Sequence, residues 1–155
     1  MKSIPVSWPT INSKEILATK KVLTEGWLGM GKYVEIFEKK IKNYLGNKKK
    51  YVCCVSTGSD ALLMSLMLAN IKRGDEVILP SLNFIASAQA ILLCGAKPIF
   101  CDVDKKTLCI DPKEIRKLIS KKTKAIIAVD YSGNLANYEE INKIKKKNKK
   151  IRIIQ

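Results

Sequence analysis

Val55-Ser56-Thr57-Gly58-Ser59-Asp60-Ala61-Leu62 is the stretch best equipped for chemistry. An apolar run, Tyr51–Val55, reads as a strand that enters a small polar turn, and an apolar helix over roughly 59–70 starts there. Ser59 reads as the N-cap, and Asp60 falls in the first turn, where a carboxylate suits the helix dipole. Free amides at such a helix start, with Thr and Ser hydroxyls beside them, can hold a phosphate. An ordinary capped strand-to-helix turn has the same composition, so this stretch leaves both readings open.

Further candidate residues fall where other apolar runs end: Ser81, Asn83, Phe84, Asp102, Asp130, Tyr131 and Asn134. Together with Thr57, Gly58 and Ser59 they would line one crevice. Phe84 could stack on a flat ring or be the first core residue of its helix. Asp102 and Asp104 resemble a carboxylate pair, although Asp at strand ends commonly serves turns. The loop Glu25-Gly26-Trp27-Leu28-Gly29-Met30-Gly31 carries two large apolar groups among three glycines. It reads either as anchored in the core by Trp27 or as facing a ligand. No GxGxxG follows the first strand, which argues against a dinucleotide site, and the absence of GxxxxGK[ST] excludes a Walker-type phosphate loop. With no His in the chain and no CxxC among five cysteines, common zinc patterns are excluded, as is a His acid or base.

The elements that must position these residues follow from periodicity. Residues 1–12, with Pro5 and Pro9, are extended. Asn12-Ser13-Lys14-Glu15 resembles a capping box opening a helix to Thr24. A second helix runs from Lys32 to Leu45, with Val34, Phe37, Ile41 and Leu45 as its buried stripe and Gly46 as its stop. From Tyr51 onward β and α alternate. Strands are expected at 51–55, 76–79, 97–101, 124–129 and 151–154. Helices are expected at 59–70, 83–93, 112–119 and 138–147, with Asp111-Pro112 as cap and first helical residue. Short Val- and Ile-rich runs separated by helices imply a three-layer α/β/α domain with a mostly parallel sheet. In such sheets ligands sit beyond the carboxyl ends of the strands, which selects segments 56–60, 81–84, 102–104 and 130–134.

A length of 155 residues fits one core, and 46% hydrophobic residues argue for a globular chain. The formal net charge is +15, from 29 Lys+Arg against 14 Asp+Glu. Much of the excess lies in Lys143–Lys150, which reads as a solvated helix face and its following turn. With no aromatic residues or recognised motif beside it, no nucleic-acid partner is expected. Cys53, Cys94 and Cys101 lie in apolar runs and read as small core residues, which suits a reducing cytoplasm. The start lacks a signal-peptide core and no stretch is long enough to span a bilayer, so no membrane partner is expected.

Taken in order, these segments resemble the N-terminal part of the DegT/DnrJ/StrS family of PLP-dependent sugar aminotransferases, of the aspartate-aminotransferase fold type. Gly26-Trp27-Leu28 with Gly31 and Phe37-Glu38 is similar to the family's opening loop and helix. Ser56 to Leu62 is similar to its phosphate turn. Gly74 to Pro80 followed by Asn83-Phe84-Ile85-Ala86-Ser87 is similar to its second strand and ring-stacking segment. Gly95-Ala96-Lys97-Pro98, Asp102-Val103-Asp104 and Lys124 to Gly133 complete the series.

The resemblance implies a fold type I large domain, incomplete here. Residues 1–50 would form an N-terminal segment with helices and residues 51–155 part of the PLP-binding domain, with the small C-terminal domain absent. It implies Gly58, Ser59, Asp60, Phe84 and Asp130 as cofactor-binding residues. Trp27, Leu28, Gly31, Asn83 and Tyr131 would lie on the substrate side. The cofactor would be pyridoxal 5'-phosphate, with pyridoxamine phosphate as its intermediate form. The Asp that pairs with the pyridine nitrogen and the Schiff-base Lys are expected beyond Gln155, so the chain alone is expected to be inactive. The implied reaction transfers an amino group from an amino acid such as glutamate to a nucleotide-linked keto sugar. It would serve amino-sugar or surface-polysaccharide synthesis in a cytoplasmic homodimer. The alternatives are a sugar dehydratase of the same family, with His at the lysine position, and a non-catalytic anion-binding α/β module.

Overall fold

Val77, Ile78 and Leu79 are wholly buried, and their strand is the second of a four-stranded parallel sheet. The architecture is taken from a computed structural model, which describes residues 8–46 and 51–155. The chain divides between Cys54 and Val55 into two units.

The first unit contains α1 (Ser13–Glu25) and α2 (Lys32–Tyr44). The predicted capping box is present: Asn12 Oδ1 accepts from the Lys14 amide, and Glu15 returns to accept from the Asn12 amide at 2.8 Å. α1 ends at Gly26 and the turn after α2 at Gly46, both with positive φ, as glycine allows. The expected buried stripe of α2 is only partly realised. Val34 and Ile41 are half-buried, whereas Phe37 and Leu45 are exposed. Of the predicted extended start, residues 1–7 lie outside the described residues.

The second unit contains α3 (Gly58–Leu68), β1 (Glu76–Pro80), α4 (Ala86–Leu93), β2 (Lys97–Cys101), α5 (Pro112–Leu118), β3 (Thr123–Ile127), a 3-10 turn (Tyr131–Gly133), α6 (Tyr138–Lys147) and β4 (Arg152–Ile154). The sheet order is β2-β1-β3-β4, and all three pairings are parallel. Alternation along the strands divides the core. Val77, Leu79, Ala125 and Ile127 pack with Leu66 of α3 and Ile91 of α4. On the other face Ile78, Ile126 and Ala128 pack with Ile115 of α5 and Ile141 and Ile144 of α6. Parallel strands need crossovers, and the crossover helices cover both faces, so the strands read as continuous apolar runs.

Local chemistry sets the helix limits. Asp111 accepts from the Lys113 amide at 2.7 Å, and Pro112 occupies the first turn of α5. Asn137 caps α6, Glu139 and Glu140 lie in its first turn, and three lysines end it, in register with the dipole. α3 and α4 differ from α6 in having apolar residues around their whole circumference, which leaves Met64, Met67, Leu68, Leu92 and Leu93 exposed.

Three expectations need correction. Tyr51–Val55 is not a strand: no described segment pairs with it, and an apolar run becomes a strand only through a partner. The helix predicted from Asn83 begins at Ala86, because Asn83 turns its side-chain amide back to donate to the Pro80 carbonyl. Cys53 is exposed and Cys94 half-buried; Cys101 and Cys109 are the buried thiols.

Two outcomes follow from this packing. Ile126→Ala empties a site covered on both sides and should cost about 2–5 kcal/mol in urea unfolding, whereas Leu68→Ala, at a side chain 88% exposed, should leave the midpoint unchanged. The apolar outer strip of α3 and α4 should make the isolated chain self-associate. Met67→Lys with Leu93→Lys should shift it towards monomer on a sizing column; unchanged elution would count against this strip.

Candidate functional site

The order of strand addition reverses at β1. From β1 the chain crosses by α4 to β2 on one side. From β3, β1's other neighbour, it crosses by α6, on the opposite face, to β4. The loops after β1 and β3 therefore leave adjacent strand ends towards opposite faces, which opens a crevice at the carboxyl edge. α3 lies on the α4 face, and a short turn joins its C-terminus to the amino end of β1. Its N-terminus therefore points to the same carboxyl edge.

Thr57, not Ser59, caps α3. Thr57 Oγ1 accepts from the Asp60 amide at 3.1 Å. The Asp60 carboxylate in turn accepts from the hydroxyls of Ser56 at 2.5 Å and Thr57 at 2.9 Å. Those two hydroxyl bonds hold the Asp60 carboxyl below its usual range against a smaller opposing effect of burial. Asp60 is thus committed to its own turn. Among the described residues, the Gly58 and Ser59 amides have no protein acceptor, and the Ser59 hydroxyl is exposed and unpaired. They are the donors this turn offers to an anion. The Thr57-x-x-Asp60 spacing, a capping-box pattern with Asp for Glu, was the sequence signal for the true cap.

Phe84 lies ahead of α4 and is 76% exposed, so it is not a core residue of that helix. Asn83 sits beside it, half-buried, with its amide spent on the Pro80 carbonyl. The Ser81 amide donates to the Cys101 carbonyl at 2.8 Å and ties the β1 exit to the β2 exit. Asp102 is exposed at the β2 exit, where its carbonyl accepts from the Asp111 amide. Asp104 forms no catalytic pair with it. Its carboxylate accepts from the amides of Lys106 and Thr107, and these bonds lower its pKa.

Asp130 accepts hydrogen bonds through both carboxylate oxygens. One carboxylate oxygen accepts from the Ala136 amide at 2.8 Å and the Tyr138 hydroxyl at 2.9 Å, and the other accepts from Gln155 Nε2 at 3.0 Å. Burial alone would raise its pKa, but the three donors outweigh it and the net shift is downward. Burial, with the Asp130 contact added, pushes the Tyr138 phenol well above its ordinary value. Neither the Tyr138 nor the Gln155 contact was foreseen; the two residues lie 8 and 25 positions from Asp130 in the sequence. Tyr131 is half-buried against the α5–α6 side of the core. Asn134 turns away to donate to the Thr107 carbonyl at 3.0 Å.

In the first unit Trp27 is 68% exposed, so the loop is not anchored in a core. Its indole N–H donates to the Met30 carbonyl at 2.8 Å, which closes the loop on itself. A Cβ on Gly31 would lie 2.6 Å from that nitrogen, so this close approach requires glycine. Trp27, Leu28 and Gly31 border a concavity of about 820 Å³ shared with Glu25, Met30 and Tyr33.

Residues 9–155 match the DegT/DnrJ/EryC1/StrS aminotransferase family, and the chain belongs to that family. It is 33% identical over 126 residues to dTDP-4-dehydro-2,3,6-trideoxy-D-glucose 4-aminotransferase of Saccharopolyspora spinosa, covering 81% of this chain and 33% of that protein. Its fold superposes on NtdA of Bacillus subtilis with bound cofactor PMP at a TM-score of 0.84 and 35% identity, over 92% of this chain and 33% of that one. It superposes on a GDP-4-keto-6-deoxymannose-3-dehydratase with a trapped PLP-glutamate geminal diamine at 0.87 and 30% identity, over 97% of this chain and 40% of that one. The chain therefore spans between a third and two fifths of the length of these relatives.

Asp130→Asn removes the carboxylate charge facing Tyr138. The Tyr138 phenol should then titrate lower, read as phenolate absorbance against a Tyr138→Phe reference; an unmoved titration would refute the contact. The Asp130 pKa is lowered on folding, so its contribution to stability is present above the ordinary carboxylate range and lost as pH falls through the folded value. Asp130→Asn should flatten that acid limb of the stability profile. Gly31→Ala should break the Trp27–Met30 closure and shift tryptophan emission, measured against Trp8→Phe in both backgrounds.

Proposed function

We propose that this chain supplies the phosphate-holding part of a PLP-dependent enzyme that moves an amino group from an amino acid, glutamate as the simplest donor, to a nucleotide-linked keto sugar. The observation that carries this reading is the pair of Gly58 and Ser59 amides at the α3 N-terminus, which have no acceptor among the described residues and lie at the same edge as exposed Phe84. Family membership and the named activities of the relatives support it.

The residues present fit the cofactor. The two amides, the Ser59 hydroxyl and the positive end of α3 suit a dianionic phosphate, and the Asp60 charge is turned into its own hydroxyl bonds. Phe84 offers an apolar face to a planar ring. When bound, PLP supplies the electron sink for bond breaking next to nitrogen. Asp130 holds the β3 exit to the carboxyl end of β4 and so fixes the floor of the crevice. Tyr131 and Asn83 are assigned to the substrate side. The groups that hold the pyridine nitrogen and move the proton are assigned beyond Gln155. A cytoplasmic homodimer serving amino-sugar or surface-polysaccharide synthesis completes the proposal.

A second reading has specific support, because a sugar dehydratase matches this chain as well as the aminotransferases do. It keeps every role above and differs only in the group beyond Gln155 that takes the proton, Lys or His.

The test uses a protein that contains this chain and continues to the length of its relatives. Ser59→Ala removes one hydroxyl bond to a charged acceptor, which should weaken PLP by about 1.5–3 kcal/mol, or roughly tenfold to a hundredfold. Phe84→Ala should cost roughly 1–3 kcal/mol through loss of one ring face. Both should fold, because one is a turn hydroxyl and the other is exposed. PLP affinity unchanged in both variants would refute the site. Amino transfer from glutamate to a keto sugar nucleotide, against loss of its hydroxyl, separates the two readings.

A further inference from the structure

The lysine run at 143–150 reads in the sequence as one solvated helix face; the topology gives it neighbours. All four strands are parallel, so the turns that enter them meet at one pole, opposite the crevice. Lys72-Arg73 precedes β1, Lys97 begins β2, Lys121-Lys122 precedes β3, and Lys149-Lys150-Ile151-Arg152 leads into β4. The last turn of α6 adds Lys145, Lys146 and Lys147.

These turns touch. The Lys97 amide donates to the Asp75 carbonyl at 2.9 Å, and the Lys122 carbonyl accepts from the Glu76 amide at 2.9 Å. A Cβ on Gly95 would lie 3.4 Å from the Arg73 Cβ. Arg152 pairs in register with Ala125, two residues into β3. Eleven cations therefore share this pole. All are exposed, and none belongs to an ion pair among the described residues. The acids nearest them are engaged elsewhere: Asp75 is buried and accepts from the Lys72 amide, and Glu76 accepts from the Ser120 hydroxyl.

We propose that this basic pole docks on an anionic lipid bilayer and leaves the crevice, at the other end of the sheet, open to solvent. Its composition selects a bilayer over a nucleic acid. Nine of the eleven cations are Lys, compact point charges, and not the Arg forks that grip individual phosphates and stack on bases. None of the contributing turns carries an aromatic residue for base stacking. The pole is built mainly of strand-entry turns, joined only by the C-terminal turn of α6, and lays no helix lengthwise for a groove. Lysines clustered near an anionic membrane surface each add attraction that decays within a Debye length. The docking does not depend on the proposed transamination, so either can fail alone.

The experiment is flotation of the chain with phosphatidylcholine vesicles, with and without phosphatidylglycerol, at low and high salt. Flotation is used because self-associated protein sinks. The chain should float only with the anionic vesicles and be released by high salt. Replacing Lys145, Lys146, Lys149 and Lys150 with Gln should weaken binding at least about tenfold, since each charge near the surface is worth a several-fold factor. A control carrying Lys105→Gln, Lys106→Gln and Lys113→Gln, near the crevice end, should float as the parent does. Flotation independent of phosphatidylglycerol, no flotation, or equal loss in the control would overturn the proposal. So would single-stranded RNA displacing the chain from the vesicles at equal phosphate concentration.

Discussion

The structure of the second unit depends on one constraint: parallel strands cannot be joined by hairpins. Every connection must cross a face of the sheet, and the crossing helix buries that face. β1 shows the consequence. Val77 and Leu79 belong to the cluster under α3 and α4, whereas Ile78 belongs to the cluster under α5 and α6. A one-residue slip would exchange the two sets, but both sides are apolar. The register is held instead by the strand-entry turns, through bonds such as Glu76 to the Lys122 carbonyl and Lys97 to the Asp75 carbonyl. The crevice follows from the same constraint. β2 and β3 are added on opposite sides of β1, so the chain must leave adjacent strand ends in opposite directions.

Much of this fold was legible because its signals are local. Asp111-Pro112 and Asn12-Ser13-Lys14-Glu15 mark helix starts through chemistry confined to a few residues, and the structure begins helices at both. Strands 97–101 and 151–154 stand out as apolar runs between turn residues, and Lys97–Cys101 matches residue for residue. Tyr51–Val55 shows the limit. Its composition is as strand-like as that of β1, but a strand is a pairing and no described segment supplies the partner. The α2 stripe fails for a related reason. Periodicity says which residues share a face, not whether anything covers it, and Phe37 remains 55% exposed.

The site was legible in part. The turn at 56–60 and the exit at 81–84 were found from residue type, and topology brings both to one edge. The hydrogen bonds within them were not legible. Residue type placed the cap at Ser59 and Asp60 in the first turn; with Thr57 as the cap, Asp60 is bound by two hydroxyls and, among the described residues, the open donors are two backbone amides. Asp130 shifts in the same way. Its position beside the crevice suggested a contact with a ligand, but its three donors come from the α6 entry and from Gln155, so its carboxylate organises the edge from within.

Helix orientation links the two poles of the unit. Each crossover helix runs antiparallel to the strands, so the macrodipoles align with their positive ends at the carboxyl edge. Acids suit that end, and Asp60, Glu114, Glu139 and Glu140 all lie in first turns there. Bases suit the other end, where Arg116 and Lys117 finish α5 and three lysines finish α6. Dipoles do not account for Lys72, Arg73, Lys97, Lys121, Lys122, Lys149, Lys150 and Arg152, which lie beyond the helix ends, in turns and strand starts. Amides without an acceptor among the described residues at one end and surplus cations at the other both suit anions, but their reach differs. The amides act over hydrogen-bond distance, which suits the small phosphate proposed for the crevice. The cations act over about a Debye length from an open surface, which suits the extended anion proposed for the pole.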